Sequence, residues 1–354
     1  MQNHKISIFL ISIIALLSSC EKVIDFETQS PDSKGIAVYA LAIPGKPFSA
    51  RISRSFTVND NPKTVFSPAG DDYDEVLDLI YNSQVVIKDA TAEILVNGIE
   101  RFTLQYKDED PFPYICSYIP QAGDEIALTI KAQDYEEVSA NVKIENPQQV
   151  EIVKTQVVYK DNGIDIPDDF ANQFSDSGSA SSTFSENPFD LYGMDSVMLI
   201  TLRLEDPKEQ RNFYRLKVRG IADRKYRIIG DTYRYYYSVS DIFTSDDVVF
   251  IDNQLVKPFS GWDAGFSNVF DDHLFNGENH TLTVETRMRY GENPRVDVEL
   301  QSINKDLYYF LKSYQLFRMT TDDSYMTPIG LYSNIDNGWG IFGTLSYDRH
   351  VIYY

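Results

Sequence analysis

Beyond residue 19 the chain holds three histidines, His273, His280 and His350, and none stands in a metal-ligand spacing such as two histidines four apart. A zinc or haem centre is not expected, and the sequence predicts no cofactor. Aspartates recur in adjacent pairs, Asp168-Asp169, Asp246-Asp247, Asp271-Asp272 and Asp322-Asp323. Paired carboxylates serve acid-base chemistry or bind calcium. Neighbours on a strand point to opposite faces, however, and the glycine-containing calcium loop is absent. There is no Gly-x-Ser-x-Gly elbow, phosphate-cradling glycine loop or dinucleotide fingerprint. The expectation is therefore a chain without enzymatic turnover. The rival class is a carbohydrate-active enzyme, for which carboxylates are abundant but unplaced.

Aromatic residues are the richer signal, with 24 Tyr and 21 Phe. On a strand, Tyr233, Tyr235 and Tyr237 share one face, while Arg234 and Tyr236 take the other. Such a stripe can stack on sugars or an aromatic ligand, or pack in a core. Phe259, Trp262, Phe266, Phe270 and Phe275 are interrupted by Gly261 and Gly265, a spacing that fits no regular element and reads as a loop packed back over a sheet. Tyr233, Tyr235, Tyr237 and Trp262 are the candidate ligand-binding residues.

The elements that must position these residues are strands. Phe48, Ala50 and Ile52 alternate with Ser49, Arg51 and Ser53, and Ile126, Leu128 and Ile130 alternate with Ala127, Thr129 and Lys131. Period two with one polar face marks half-buried strands. Asn97-Gly98 between two such runs is a hairpin signal, since both residues tolerate positive φ. Further on, Tyr214, Leu216 and Val218 alternate with Arg215, Lys217 and Arg219, and Val296, Val298 and Leu300 with Asp297, Glu299 and Gln301. Leu307, Phe310, Leu311, Tyr314 and Phe317 fall three and four apart, with Asn304 placed to cap, which predicts a helix near 305–318. The fold class expected is mainly β: two antiparallel β-sandwich-like domains, with one helix packed on the C-terminal domain. An Ig-like sandwich spans 35–146, Asn146-Pro147 marks the boundary, and a β-rich domain spans 147–354. Two excursions, the acidic 56–79 and the serine-rich 175–185, read as solvated loops that could carry a binding surface.

At the N-terminus Lys5 precedes an apolar run from Ile6 to Leu17, too short to span a bilayer but right for a secretory signal. It ends in Leu17-Ser18-Ser19-Cys20, the small-residue pattern at which lipoprotein signals are cut and the cysteine acylated. Residues 1–19 are thus a predicted signal peptide, Cys20 the lipidated residue, and 20–34 a polar tether. Once Cys20 carries lipid, Cys116 is the only thiol left, and no internal disulfide can form. The formal net charge of -21, one more negative after loss of Lys5 with the signal, disfavours nucleic acid as a partner. It also repels anionic membrane surfaces, so attachment rests on the anchor.

Three segments together resemble a Bacteroidota lipoprotein family, domain of unknown function 4249. They are Ser19 to Asp25, Leu274-Phe275-Asn276-Gly277, and Tyr332-Ser333-Asn334-Ile335-Asp336-Asn337-Gly338-Trp339-Gly340-Ile341-Phe342-Gly343. Trp339 stands where the family carries a smaller apolar residue. The resemblance implies no catalytic residues. It implies an outer-membrane lipoprotein with an accessory role beside a TonB-dependent receptor. The lipid anchor, the polar tether and the long loops and many aromatics point, from the residues, to a cell-surface chain that takes a small-molecule, glycan or peptide ligand. The alternative is a structural envelope protein without ligand. From the residues alone, the glycines at 338, 340 and 343 read as places where backbone approaches backbone.

Overall fold

The computed structural model describes residues 35–55, 86–108, 112–161, 194–208, 210–228, 232–240, 243–253, 268–289, 291–321 and 330–354. Cys20 with its expected leader and tether, both excursions, Trp262, Asp168-Asp169 and Asp322-Asp323 lie outside these residues. The described chain is mainly β, 58% strand, with two sheets and a single helix, the sandwich-like class that the alternation predicts.

The first half supplies β1 (Ile36–Ala42), β2 (Ser49–Arg54), β3 (Thr91–Val96), β4 (Glu100–Tyr106), β5 (Tyr114–Ile115), β6 (Glu125–Lys131) and β7 (Val138–Lys143). Asn97 and Gly98 both take positive φ, 52° and 69°, and join β3 to β4 as the Asn-Gly signal predicts. Ile36, Val38 and Ala40 of β1 and Ala50 and Ile52 of β2 share a core with Ile94, Ile126, Leu128, Ile130, Val138 and Ala140. Each large side chain fully buried there contributes about 1.5–3 kcal/mol.

The second half supplies β8 (Val150–Asp161), β9 (Met194–Glu205), β10 (Phe213–Ile228), β11 (Thr232–Ser240), β12 (Phe243–Thr244), β13 (Val269–Asp271), β14 (Asn279–Arg287), β15 (Glu292–Ile303), helix α1 (Lys305–Thr321) and β16 (Trp339–Tyr353). Strands β12-β14-β9-β8 form one four-stranded sheet. Its Ile200, Leu202, Leu282 and Val284 cluster with Leu216, Val218, Val296, Val298 and Leu300 from β10 and β15.

Strand β16 links the two halves. Its residues 339–344 pair with β1 in parallel, while 345–353 pair antiparallel with β15. The larger sheet therefore runs β11-β10-β15-β16-β1-β2-β5-β4-β3-β6-β7. Phe342 enters the first core edge-on to Phe48, with ring centroids 5.6 Å apart. The segment around the predicted boundary at Pro147 is strapped to the same strands: Thr344 Oγ1 donates to the Lys143 carbonyl at 3.0 Å, Ser346 Oγ to that of Glu145 at 2.8 Å, and the Gln148 amide to Ser302 Oγ at 2.9 Å.

Helix α1 starts where the spacing predicts. Asn304 Oδ1 accepts from the Leu307 amide at 3.2 Å, an N-cap, and also from the Thr344 amide at 3.1 Å. Leu307, Phe310 and Leu311 cluster with Phe213, Val269, Ile303, Ile341 and Leu345, and with Tyr39 and Leu41 of β1. The helix thus covers strands from both halves.

Candidate functional site

The predicted stripe lies on β11, where the backbone pairs Tyr233, Tyr235 and Tyr237 with Arg227, Lys225 and Asp223 of β10. Directly paired positions share a face. Towards its N-terminal end β10 carries Arg215, Lys217 and Arg219 on one face. Across the next strands Arg215 faces Gln301 and then Tyr347, Lys217 faces Glu299 and Arg349, and Arg219 faces Asp297 and Val351. Alternation marks this as a polar, solvated face, but burial differs: Arg215, Arg219 and Gln301 are buried and Asp297 is 1% exposed. Asp297 Oδ2 binds Arg349 and lies 4.0 Å from Arg219, while Oδ1 lies 3.9 Å from Arg295. Guanidinium groups stay charged when buried, so the interior demands the carboxylate among them.

A second aromatic surface gathers on the first turns of α1. Tyr308 lies 4.9 Å from Phe213 and 5.5 Å from Tyr309, ring centre to ring centre, and Tyr309 lies 5.6 Å from Tyr332. Three cations sit over these rings: Arg211 over Phe213 at 5.4 Å, Lys305 over Tyr309 at 5.6 Å and Lys312 over Tyr308 at 5.7 Å. Tyr332 donates to Asp306 Oδ1 at 2.5 Å, and burial, with that carboxylate beside it, pushes its hydroxyl well above the usual range. Tyr308, Tyr309 and Tyr332 are half-buried, so part of each side chain remains in contact with solvent. A search for apolar spacing passes over them, because Tyr308 and Tyr309 stand off the Leu307, Phe310, Leu311 stripe. Adjacent tyrosines beside that stripe, with lysines at 305 and 312, were the available signal.

Among the described residues, two of the aspartate pairs each meet one histidine. His280 Nε2 is 2.9 Å from Asp247 and its ring stacks on Phe275 at 4.7 Å; His350 is 3.1 Å from Asp348; His273 pairs with Asp271. Among the described residues no group of three or more His, Cys, Asp or Glu is placed to hold a metal ion. Cys116 is buried, which pushes its thiol up and away from reactivity.

The Leu274 to Gly277 motif is a staple between two turns. Asp206 accepts from Tyr214 at 2.5 Å and from the Gly277 amide at 2.8 Å, and Gly277, at φ 73°, lies against Lys208, where a Cβ would fall 2.8 Å from its Cα. The adjacent aspartates carry opposite shifts. Burial pushes Asp271 up, but hydrogen bonds from Arg211 and His273 outweigh it and hold its carboxyl below the usual range. Asp272 is fully buried, and burial keeps it above that range despite the Asn212 amide at 2.7 Å; its Oδ1 has no hydrogen-bond partner. A carboxyl that holds its proton more tightly when folded favours the native state at acid pH, and this contribution is lost as pH rises through its folded pKa. Asp272→Asn should therefore raise thermal stability at neutral pH, with the gain vanishing below about pH 3. A gain independent of pH in melting curves would refute this origin.

The family segment 332–343 is likewise structural. Asn334 brackets the backbone of Phe342, accepting from its amide at 2.9 Å and donating to its carbonyl at 2.8 Å. A Cβ on Gly338 would lie 2.8 Å from the Ile36 carbonyl and one on Gly340 2.0 Å from that of Val38, the close backbone approach that the glycines predict. Gly35 leaves room for the Trp339 ring, which a Cβ there would meet at 2.0 Å.

Residues 21–350 match the family model described as Domain of unknown function (DUF4249). The chain belongs to this family. No curated protein matches it. Within this DUF4249 chain the two described segments that carry the resemblance, 274–277 and 332–343, are thus accounted for by turns and β1–β16 pairing, whereas the aromatic surface on α1 has no comparable structural demand on Tyr309.

Proposed function

We propose that the protein is a lipid-tethered, non-enzymatic binding subunit of the outer membrane that assists a TonB-dependent receptor in nutrient uptake. The observation that carries this reading is the surface of Phe213, Tyr308, Tyr309 and Tyr332 with its three cations. Aromatic rings supply large contact areas at small entropic cost, and hydroxyls and cations at their edge supply direction. A glycan, peptide or small aromatic molecule meets such a surface with stacking and polar contacts together. The tether argument rests on the Leu17-Ser18-Ser19-Cys20 pattern and the acidic charge, which leaves a covalent anchor as the means of membrane attachment. Intact mass of the chain extracted from fractionated membranes tests this part. The expected species begins at Cys20 and carries lipid; a chain that starts elsewhere, or an unacylated Cys20, would overturn it.

A further inference from the structure

Strand β8 spans twelve residues, Val150 to Asp161, with no proline or glycine, and among the described residues it pairs with β9 alone. Its outer edge is a row of backbone donors and acceptors, and such edges are ordinarily shortened, covered or broken. Here Val153, Val157 and Tyr159 are 51%, 42% and 49% exposed. The register with β9 places Thr155, Val157 and Tyr159 beside Ile200, Met198 and Ser196, which are buried, so the core-side row of β8 is itself partly in contact with solvent.

We infer that β8 pairs antiparallel with β8 of a second copy about a two-fold axis at Gln156, joining two four-stranded sheets into one of eight. The register follows from the strand itself. With Gln156 opposite its twin, Thr155 faces Val157 and Lys154 faces Val158, each pair on one face. The strand carries one extra residue at the register shift between Ile152 and Lys154. Counting past it brings Ile152 opposite Tyr159 and Glu151 opposite Lys160. The apolar pair falls on the core side and the ion pair on the other, and the axis repeats both. A two-fold interface needs a surface complementary to itself, and this order of residues is one. Glu151 and Lys160 each hold an internal partner, Arg203 and Glu285, yet remain 57% and 50% exposed, so both can meet a second charge.

Directly opposed residues of antiparallel strands lie about 4.5–5.5 Å apart between Cα atoms, within disulfide reach. In native membranes under mild oxidation, Gln156→Cys should give a covalent homodimer. Lys154→Cys should not, because its copies stand about four residues apart along the strand, roughly 13 Å. Sedimentation of the purified full chain in density-matched detergent should show a dimer. Lys160→Glu should weaken association roughly tenfold by facing like charges twice, and Glu151→Lys added to it should restore most of the loss. A monomer at concentrations up to about 100 µM together with no Gln156→Cys dimer would overturn the inference. So would cross-linking of Lys154→Cys as efficient as that of Gln156→Cys, or a Gln156→Cys adduct with a different protein in place of the homodimer.

Discussion

Gly340→Ala should cost the fold about 3 kcal/mol or more, a large part of the roughly 5–15 kcal/mol by which a typical domain is stable. Gly340 takes φ 101°, and an added Cβ would sit 2.0 Å from the Val38 carbonyl oxygen, closer than any real contact. That carbonyl belongs to β1, whose register with β16 pairs Val38 with Gly340. Relief therefore requires the two strands to part at the point where the sheet passes from one core to the other. Gly98→Ala is the matched control. Gly98 also has positive φ, 69°, but nothing lies within 4 Å of its added Cβ, so only the conformational cost of about 1–2 kcal/mol applies. Urea unfolding of both variants isolates the clash. Equal losses would mean that β1 and β16 do not approach so closely.

Asp297→Ala should cost about 3 kcal/mol, the lower end of what is lost when one partner of a buried ion pair is removed. The carboxylate is 1% exposed and lies among Arg349, Arg219 and Arg295, and its removal leaves guanidinium groups on a covered face with less compensation. The lower end applies because the Arg349 side chain is 43% exposed and can turn to water. A double-mutant cycle with Arg349→Ala checks the assignment: the two losses should be strongly non-additive. Additive losses would show that Asp297 acts through other partners.

What the sequence made legible was local. Alternation located the strands, Asn97-Gly98 located a hairpin, and Asn304 with the Leu307, Phe310, Leu311 spacing located the helix and its first residue. Pairing between distant segments leaves no such mark. Gly340 and Gly343 mark a close backbone approach, but nothing within residues 339–344 says that the partner is a parallel strand some 300 positions earlier at 37–42, because the hydrogen bonds are made by backbone. Burial of charge was equally hidden: Arg51 alternates like a surface residue yet is 0% exposed, and Tyr39, its register partner, is pushed by burial up to about 12 against the pull of that cation. Of the candidate residues, the tyrosines at 233, 235 and 237 lie on a strand as their alternation predicts, whereas the surface on α1 is not legible in the sequence, since tyrosines beside an apolar stripe carry no periodic signal of their own.

Affinity purification from solubilised outer membrane, at native expression in mild detergent, tests the binding-subunit reading most directly when wild type is compared with Tyr309→Ala. Tyr309 touches Phe213, Tyr308, Tyr332 and Lys305 yet is not part of the buried core, so its truncation removes the centre of the surface and leaves the fold intact. The account predicts that a TonB-dependent receptor is recovered with the wild-type chain and that its binding, or that of the ligand it delivers, falls about tenfold or more in the variant. Recovery of the wild-type chain alone in repeated trials would contradict it and favour a structural envelope role.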